Sequence, residues 1–262
     1  MKPFLIEWVF KGHLVRVPSF GVFLASAFSF AYFWSLRNAR KLSLESKHVE
    51  KLFLLILLSS IAGGRLFHVL FEEPRFYWSH LSKIPAVWEG GFTFYGAMLC
   101  SLGAILLYCR IYGLSSGKVL DLVATSTLMS LSIGRIGCFL AGCCWGKTCS
   151  LPWAVTYTHP EAFNSLKGLS VHPTQLYESL GAFLLFFLCQ RNLFSRHIPG
   201  ETGLIALFGY ALLRFLVEWF RGDTYRGFIG DGFLSYAQVI SIVIGTLALV
   251  GWTRLKQHHK LF

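Results

Sequence analysis

Seven runs of apolar residues decide what this chain can fold into. They lie roughly at 17–36, 52–71, 92–112, 119–140, 176–190, 202–220 and 232–252. A helix needs about 20 such residues to cross the hydrocarbon core of a bilayer; the fifth run is short of that. Inside lipid every backbone N–H and C=O must be satisfied within the protein, so continuous runs of this length read as helices. Composition points the same way. Charged residues make up 14% of the 262 residues and hydrophobic residues 54%, with a mean hydropathy of +0.55; soluble domains carry roughly 25% charged residues. Intrinsic disorder is excluded by this apolarity, and the 25 glycines and 8 prolines show no fibrous period. The expectation is an all-α, polytopic membrane helical bundle of about seven transmembrane helices. It forms one integral membrane domain over 1–262, with 141–175 as an ordered cap between spans 4 and 5.

The formal net charge is +11. Because the basic residues punctuate apolar runs, anionic lipid headgroups rather than nucleic acid are the expected partners. Arg37, Arg40, Lys41, Lys47 and Lys51 crowd the connection between spans 1 and 2, and Arg254, Lys256 and Lys260 end the chain. The positive-inside rule then puts the N-terminus outside and the C-terminus inside. The first 18 residues do not read as a signal peptide, since Glu7 and Lys11 interrupt any apolar stretch. They are expected to form an interfacial helix with Phe4, Leu5, Trp8 and Phe10 on its apolar face. Three arginines, Arg65, Arg135 and Arg214, fall within apolar runs. An intramembrane charge is costly and normally faces a partner or a polar cavity. Under the derived orientation all three lie toward the outer leaflet.

Several constellations surround these arginines. In Gly134-Arg135-Ile136-Gly137-Cys138-Phe139-Leu140-Ala141-Gly142-Cys143-Cys144-Trp145-Gly146, glycines permit close approach and exposed N–H groups beside a guanidinium. That combination suits a phosphate, which a guanidinium holds with two parallel hydrogen bonds; helix packing with a snorkelling arginine is the plainer reading. Arg214, Glu218 and Arg221 are spaced to share one helix face, where the carboxylate can position both cations or serve as a structural ion-pair ladder. His172-Pro173-Thr174-Gln175-Leu176-Tyr177-Glu178 opens span 5, Pro173 and Thr174 marking a helix start, with His172, Gln175 and Glu178 near one face. Arg65 and His68 lie three apart in span 2, and Glu89–Gly96 leads into span 3. Of seven cysteines, Cys138, Cys143, Cys144 and Cys149 crowd one segment; Cys100, Cys109 and Cys189 sit in apolar runs and read as small hydrophobes. The crowded four lack the regular paired spacing of zinc sites and contain no C-x-x-C. No metal and no cofactor are therefore expected, and disulfides are permitted on the outer side.

At these residues the sequence resembles the bacterial prolipoprotein diacylglyceryl transferase family. The likeness runs in order through GGR at 63–65, EGGFTFYG at 89–96, Asp121, GRIGCFLAGCCWG at 134–146, HPTQLYE at 172–178 and RFLVEWFRGD at 214–223. It implies a multi-pass inner-membrane enzyme whose active site faces the periplasmic leaflet. Such an enzyme moves the diacylglyceryl group of phosphatidylglycerol onto the lipobox cysteine of a prolipoprotein signal peptide, leaving a thioether and glycerol phosphate. Arg135, Arg214, Glu218, Tyr95 and His172 are the implied catalytic candidates; Arg135, Gly137, Gly146, Arg65, Gln175 and Arg221 the implied phospholipid contacts. The sequence departs from the family block GRxGNFxNGExxG at Cys138, Ala141 and Cys143. It also carries Tyr95 where the family has histidine, and Ser19-Phe20-Gly21 where span 1 usually has an aromatic-Tyr-Gly. Two other readings accompany the enzyme: a lipid-binding paralogue with a different acceptor, and a membrane thiol-redox protein using Cys143 and Cys144.

Overall fold

The computed structural model describes residues 2–10, 13–159, 168–195, 198–222, 227–229 and 234–260. The helices are α1 (Ser19–Ala39), α2 (Ser46–Phe67), the short α3 (Pro74–Ser79), α4 (Phe94–Ile111), α5 (Ser116–Ala141), α6 (Thr174–Leu193), α7 (Glu201–Glu218) and α8 (Tyr236–Lys260). Three two-stranded pairings accompany them: β1 (Phe4–Phe10) with β2 (His13–Pro18), β3 (Val155–Thr156) with β4 (Ser170–Val171), and β5 (Phe228–Ile229) with β6 (Leu234–Ser235). The chain is thus an all-α, multi-pass membrane protein. Among the described residues five helices are long and apolar enough to cross a membrane: α1, α2 extended to Glu72, α4, α5 and α8. The count of seven is not reached by that criterion. α6 and α7 have 20 and 18 residues, but Gln175, Glu178, Gln190 and Arg191 lower the apolarity of the first, and the second carries three charges, Glu201, Arg214 and Glu218.

The N-terminal expectation fails. Residues 4–10 and 13–18 pair as two antiparallel strands, not an interfacial helix. Trp8 pairs with Val15 and Glu7 with Arg16, whose side chains meet at 3.4 Å. Valines, isoleucine and aromatics favour a pleated strand, and a cross-strand ion pair adds to it. The Ser19 backbone N–H donates to the Pro3 carbonyl at 2.8 Å, tying the strand pair to the start of α1.

The fold divides into two compact units, Met1–Trp34 with Asp121–Phe262, and Ser35–Leu120. In the second, α2 packs along α4. Gly63 and Gly96 make the crossing: a Cβ on Gly63 would lie 2.6 Å from the Gly96 carbonyl oxygen. Arg65, 5% exposed, is clamped by its own unit. Its Nε donates to the Ile84 carbonyl at 3.0 Å, Nη2 to Lys83 at 2.6 Å and Nη1 to Gly90 and Gly91, while Tyr77 lies 5.0 Å beneath the guanidinium. The connection 83–91 is therefore folded around this side chain.

In the first unit α7 lies against both α6 and α8. Its burial pattern is inverted relative to a soluble protein. Asp121, Thr125, Gln175, Glu178 and Thr202 are fully buried, while Leu180, Leu184, Leu207, Leu212, Ile242 and Leu247 are exposed. Apolar outside and polar inside is the arrangement that lipid solvates. Polar contacts join the helices: the Ser179 hydroxyl donates to the Ser132 carbonyl at 2.8 Å, and Ser130 to Ala27 at 2.8 Å. Asp121 caps α7, accepting from the Gly200 and Gly203 N–H groups at 2.7 and 2.6 Å. α8 starts with a capping box: Ser235 N–H donates to Gln238 Oε1 at 3.0 Å, and Gln238 N–H to Ser235 Oγ at 3.2 Å.

Candidate functional site

Three elements of the first unit bring the polar groups together. Arg135, on α5, donates from Nη2 to Glu178 Oε1 on α6 at 2.9 Å. The same oxygen accepts from the Tyr210 hydroxyl of α7 at 2.8 Å. One turn further along α7, Arg214 Nη2 meets Glu218 Oε2 at 2.6 Å, and Glu218 Oε1 accepts from Ser235 Oγ at 3.0 Å. Tyr210 and Arg214 are four residues apart on α7 and share a face, so the two ion pairs lie about one turn apart. Arg135 Nε and Arg214 Nη1 are buried and have no hydrogen-bond partner among the described residues. A buried donor left so is costly unless a ligand or water accepts from it.

Arg221 is not on the face that its spacing predicts. α7 ends at Glu218; Arg221 follows a turn, its N–H donating to the Glu218 carbonyl at 3.1 Å, and is bridged to Gly146. Lys147 N–H donates to the Phe220 carbonyl at 2.8 Å and Gly146 N–H to the His172 carbonyl at 2.9 Å, so residues 145–148 run between 220–222 and 170–172. Trp145, Tyr157 and Val171 form the small core of this region. Arg221 is 5% exposed. Arg221 thus brings a third guanidinium to the same unit as Arg135 and Arg214.

Two glycines of 134–146, Gly137 and Gly146, serve close packing, while Gly134 has open space beside it. A Cβ on Gly137 would lie 2.8 Å from Phe23 Cβ of α1, and one on Gly146 2.5 Å from His172 Cβ. His172 precedes α6 rather than riding on it. Its Nδ1 is 3.1 Å from the Tyr177 hydroxyl, which also accepts from Trp153 Nε1 at 2.8 Å. His172, Tyr177, Phe220, Trp153 and Leu216 line a cavity of ≈ 360 Å³. Gln175, fully buried, donates to the Cys143 carbonyl at 2.6 Å and the Tyr157 hydroxyl at 2.8 Å; the Thr174 hydroxyl donates to the Cys144 carbonyl at 2.8 Å. Burial pushes the Tyr157 phenol up to about 12, so Tyr157 is neutral at ordinary pH.

The cysteine segment has a definite conformation. α5 ends in a Schellman turn: Cys143 N–H donates to the Cys138 carbonyl at 3.2 Å and Gly142 N–H to Phe139 at 3.3 Å. Gly142 (φ 79°) and Cys144 (φ 63°) both adopt left-handed backbone, which a non-glycine residue rarely does. The turn folds Cys143 and Cys144 back over Cys138, and all three Sγ atoms lie within 4.8 Å of one another. Hydrogen bonds with the Cys138 and Cys143 thiols, with Arg221 and Arg135 nearby, hold the Cys144 thiol below its ordinary range against the opposing effect of burial. All seven cysteines are free, with Cys109 and Cys189 buried as expected.

Tyr95 and Arg65 belong to the other unit. Tyr95 stands half exposed in the first turn of α4, edge-on to Phe94 at 5.9 Å. Asp223, which ends the 214–223 block, lies outside the described residues. Reading the sequence alone missed Glu178 as the partner of Arg135, and Tyr210 and Ser235 altogether. A lone carboxylate inside an apolar run was the available signal for Glu178.

The family model for prolipoprotein diacylglyceryl transferase matches residues 8–254. Proteins called phosphatidylglycerol--prolipoprotein diacylglyceryl transferase are similar to the chain. The one from Leptothrix cholodnii is 34% identical over 91% of this chain and 92% of its own length. That from Methylibium petroleiphilum is 36% identical over 95% and 92%, and that from Vibrio vulnificus 32% identical over 94% and 90%.

Proposed function

Since the chain belongs to the prolipoprotein diacylglyceryl transferase family, we propose that it transfers the diacylglyceryl group of phosphatidylglycerol to the lipobox cysteine thiol in the signal peptide of a prolipoprotein. The thiol sulfur forms a bond to the diacylglyceryl carbon that bears the phosphate ester. The C–O bond breaks, its electron pair stays on the phosphate, and glycerol phosphate leaves with one more negative charge than the diester had. The thiol proton passes to a base, which this reading assigns to His172.

The observation that carries this reading is the pair of buried guanidinium groups around Tyr210, each with an N–H that no described residue accepts. Charge grows on the phosphate during reaction, and fixed donors aimed at growing charge stabilise the transition state most. Glu178 and Glu218 orient the two arginines and balance their charge, so what the pairs offer a phosphate is their two unaccepted N–H donors. Arg221 adds a third guanidinium to the region; Gln175, Gly137 and Gly146 hold the surrounding backbone. The cavity beside His172 is apolar on most of its wall and suits an acyl chain. Arg65 shapes the 83–91 connection of its own unit.

The same reading makes α6 and α7 membrane spans, seven in all. Their outward faces are apolar, with Leu180, Leu184, Leu188, Leu212 and Leu216 exposed, and their polar residues are turned inward. On this reading the arginine cluster and the 141–175 cap, of which 160–167 lie outside the described residues, belong at the periplasmic leaflet of the inner membrane, as the loop charges favour. The test is incubation of purified protein in detergent with labelled phosphatidylglycerol and a lipobox peptide. Label appears on the cysteine peptide and not on its Cys→Ser counterpart; binding of the lipid without transfer to either peptide establishes a lipid-binding paralogue instead.

A further inference from the structure

Cys138, Cys143 and Cys144 are too close together to be three unrelated small residues. Their Sγ atoms lie within 4.8 Å of one another. Three thiolates around one zinc ion at ~2.3 Å stand roughly 3.8 Å apart, so about 1 Å of contraction closes the group on a metal. The backbone is already set for it. The Schellman turn and the left-handed Cys144 return the vicinal pair over the last turn of α5, and Gln175 and Thr174 pin the Cys143 and Cys144 carbonyls from α6. Sequence spacing hides this arrangement, because two of the ligands are adjacent and the third is in a helix.

We propose that these three cysteines bind a thiophilic divalent cation, zinc by chemistry, whose fourth position takes the acceptor thiol. This inference rests on the transferase reading. Three protein ligands with one open position is the form of catalytic zinc sites. Among the described residues no further His, Asp or Glu joins the group, and Cys143 and Cys144 keep partial exposure through which a thiol can approach. Charge is favourable as well. Three thiolates on a divalent cation carry one net negative charge, and Arg135 and Arg221 are both within electrostatic reach of Cys144.

The location matters for the reaction. Arg135 and Cys138 are three residues apart on α5 and so face one side of it. Arg135 also senses both Cys138 and Cys144. A phosphate held by Arg135 is therefore next to the thiol cluster. A thiol that coordinates such a cation is deprotonated outright. The acceptor S–H loses its proton to His172, the metal-bound thiolate attacks the diacylglyceryl carbon, and the thioether formed is neutral, bonded to carbon in place of the lost proton. Glycerol phosphate departs with the C–O electron pair. The metal changes neither oxidation state nor number of protein ligands.

The experiment uses the full chain in detergent, stripped of metal under reducing conditions and titrated with Co²⁺. Cobalt held by cysteine thiolates gives an intense near-ultraviolet charge-transfer band that grows with their number. The wild type is expected to saturate at one Co²⁺ per chain, and Zn²⁺ to displace it. Cys138→Ser, Cys143→Ser and Cys144→Ser each lose about a third of the band and bind at least tenfold more weakly, whereas Cys149→Ser titrates like the wild type. Addition of a lipobox peptide raises the band by about a third, and its Cys→Ser counterpart leaves it unchanged. Protection of the three thiols from maleimide by Zn²⁺ reports binding even where a serine variant folds poorly. Absence of a stoichiometric cobalt band, a Cys143–Cys144 disulfide in the reduced preparation, or full transfer activity after removal of all three thiols overturns the proposal and leaves the transferase reading standing. A normal cobalt titration in a protein that transfers nothing to any lipobox thiol overturns the transferase reading, and with it the catalytic role of the fourth position.

Discussion

Arg135 and Glu178 form an ion pair 2.9 Å long between α5 and α6, and the Glu178 side chain is wholly buried. Tyr210 shares the same carboxylate oxygen. Breaking a buried pair by removing one partner costs ~3–5 kcal/mol, because the survivor is left uncompensated. Glu178→Leu is therefore expected to lower the melting temperature sharply. Glu178→Gln keeps an acceptor for Arg135 and Tyr210, so it melts closer to wild type while turnover falls at least tenfold. Thermal melts and transfer rates on the two variants check this directly.

The second pair is local to α7 and is braced from α8. Ser235 Oγ donates to Glu218 Oε1 while it also caps α8. Ser235→Ala removes both bonds and is expected to destabilise the protein by about 1.5–3 kcal/mol, the range for a hydrogen bond to a charged group. Its transfer rate at temperatures well below the melt should drop less than that of Glu218→Gln, which releases Arg214 itself. Equal losses in the two variants contradict the positioning role of Glu218.

Tyr157 supplies a pH test. Burial raises its phenol from 10.0 to about 12, so the folded protein holds the proton that the unfolded chain gives up. The stabilisation this provides is complete below pH 10 and is lost as pH rises toward 12. The wild type should lose stability over that window, and Tyr157→Phe should lose less. The difference is read from denaturation midpoints at successive pH values. Identical pH slopes for the two proteins contradict the assignment.

Much of the architecture was legible in the sequence, for reasons that show where legibility stops. Long apolar runs report membrane helices because lipid leaves the backbone few choices. Arg135 and Arg214 stood out because a charge in such a run demands a partner. Which partner each takes is a matter of packing: Glu178 is 43 residues from Arg135 in the chain, and nothing local specifies the meeting. Residues 4–18 misled because Phe4, Leu5, Trp8 and Phe10 suit either a helix or a strand, and pairing with 13–18 decided it. Spacing likewise argued against a cysteine site, since it cannot show that Gly142 and Cys144 turn the backbone twice within three residues.

The orientation is tested by reporter fusions. Alkaline phosphatase joined after Trp153 should be active, and after Lys256 inactive. The reverse pattern places the arginine cluster at the cytoplasmic leaflet and removes the argument that α5, α6 and α7 present their polar ends to the periplasm.

The most direct measurement is the transfer rate of the arginine variants, with labelled phosphatidylglycerol and a lipobox peptide in detergent and folding verified by thermal melt. Arg135→Lys keeps the charge but loses the planar fork, and should still be impaired. Arg135→Ala and Arg214→Ala each remove a donor from a water-poor site, where one such donor contributes ~2.7–4 kcal/mol, or about 10²–10³ in rate. Losses of that size in both folded alanine variants are the predicted result. Near wild-type turnover by both would contradict the arginine clamp on the phosphate.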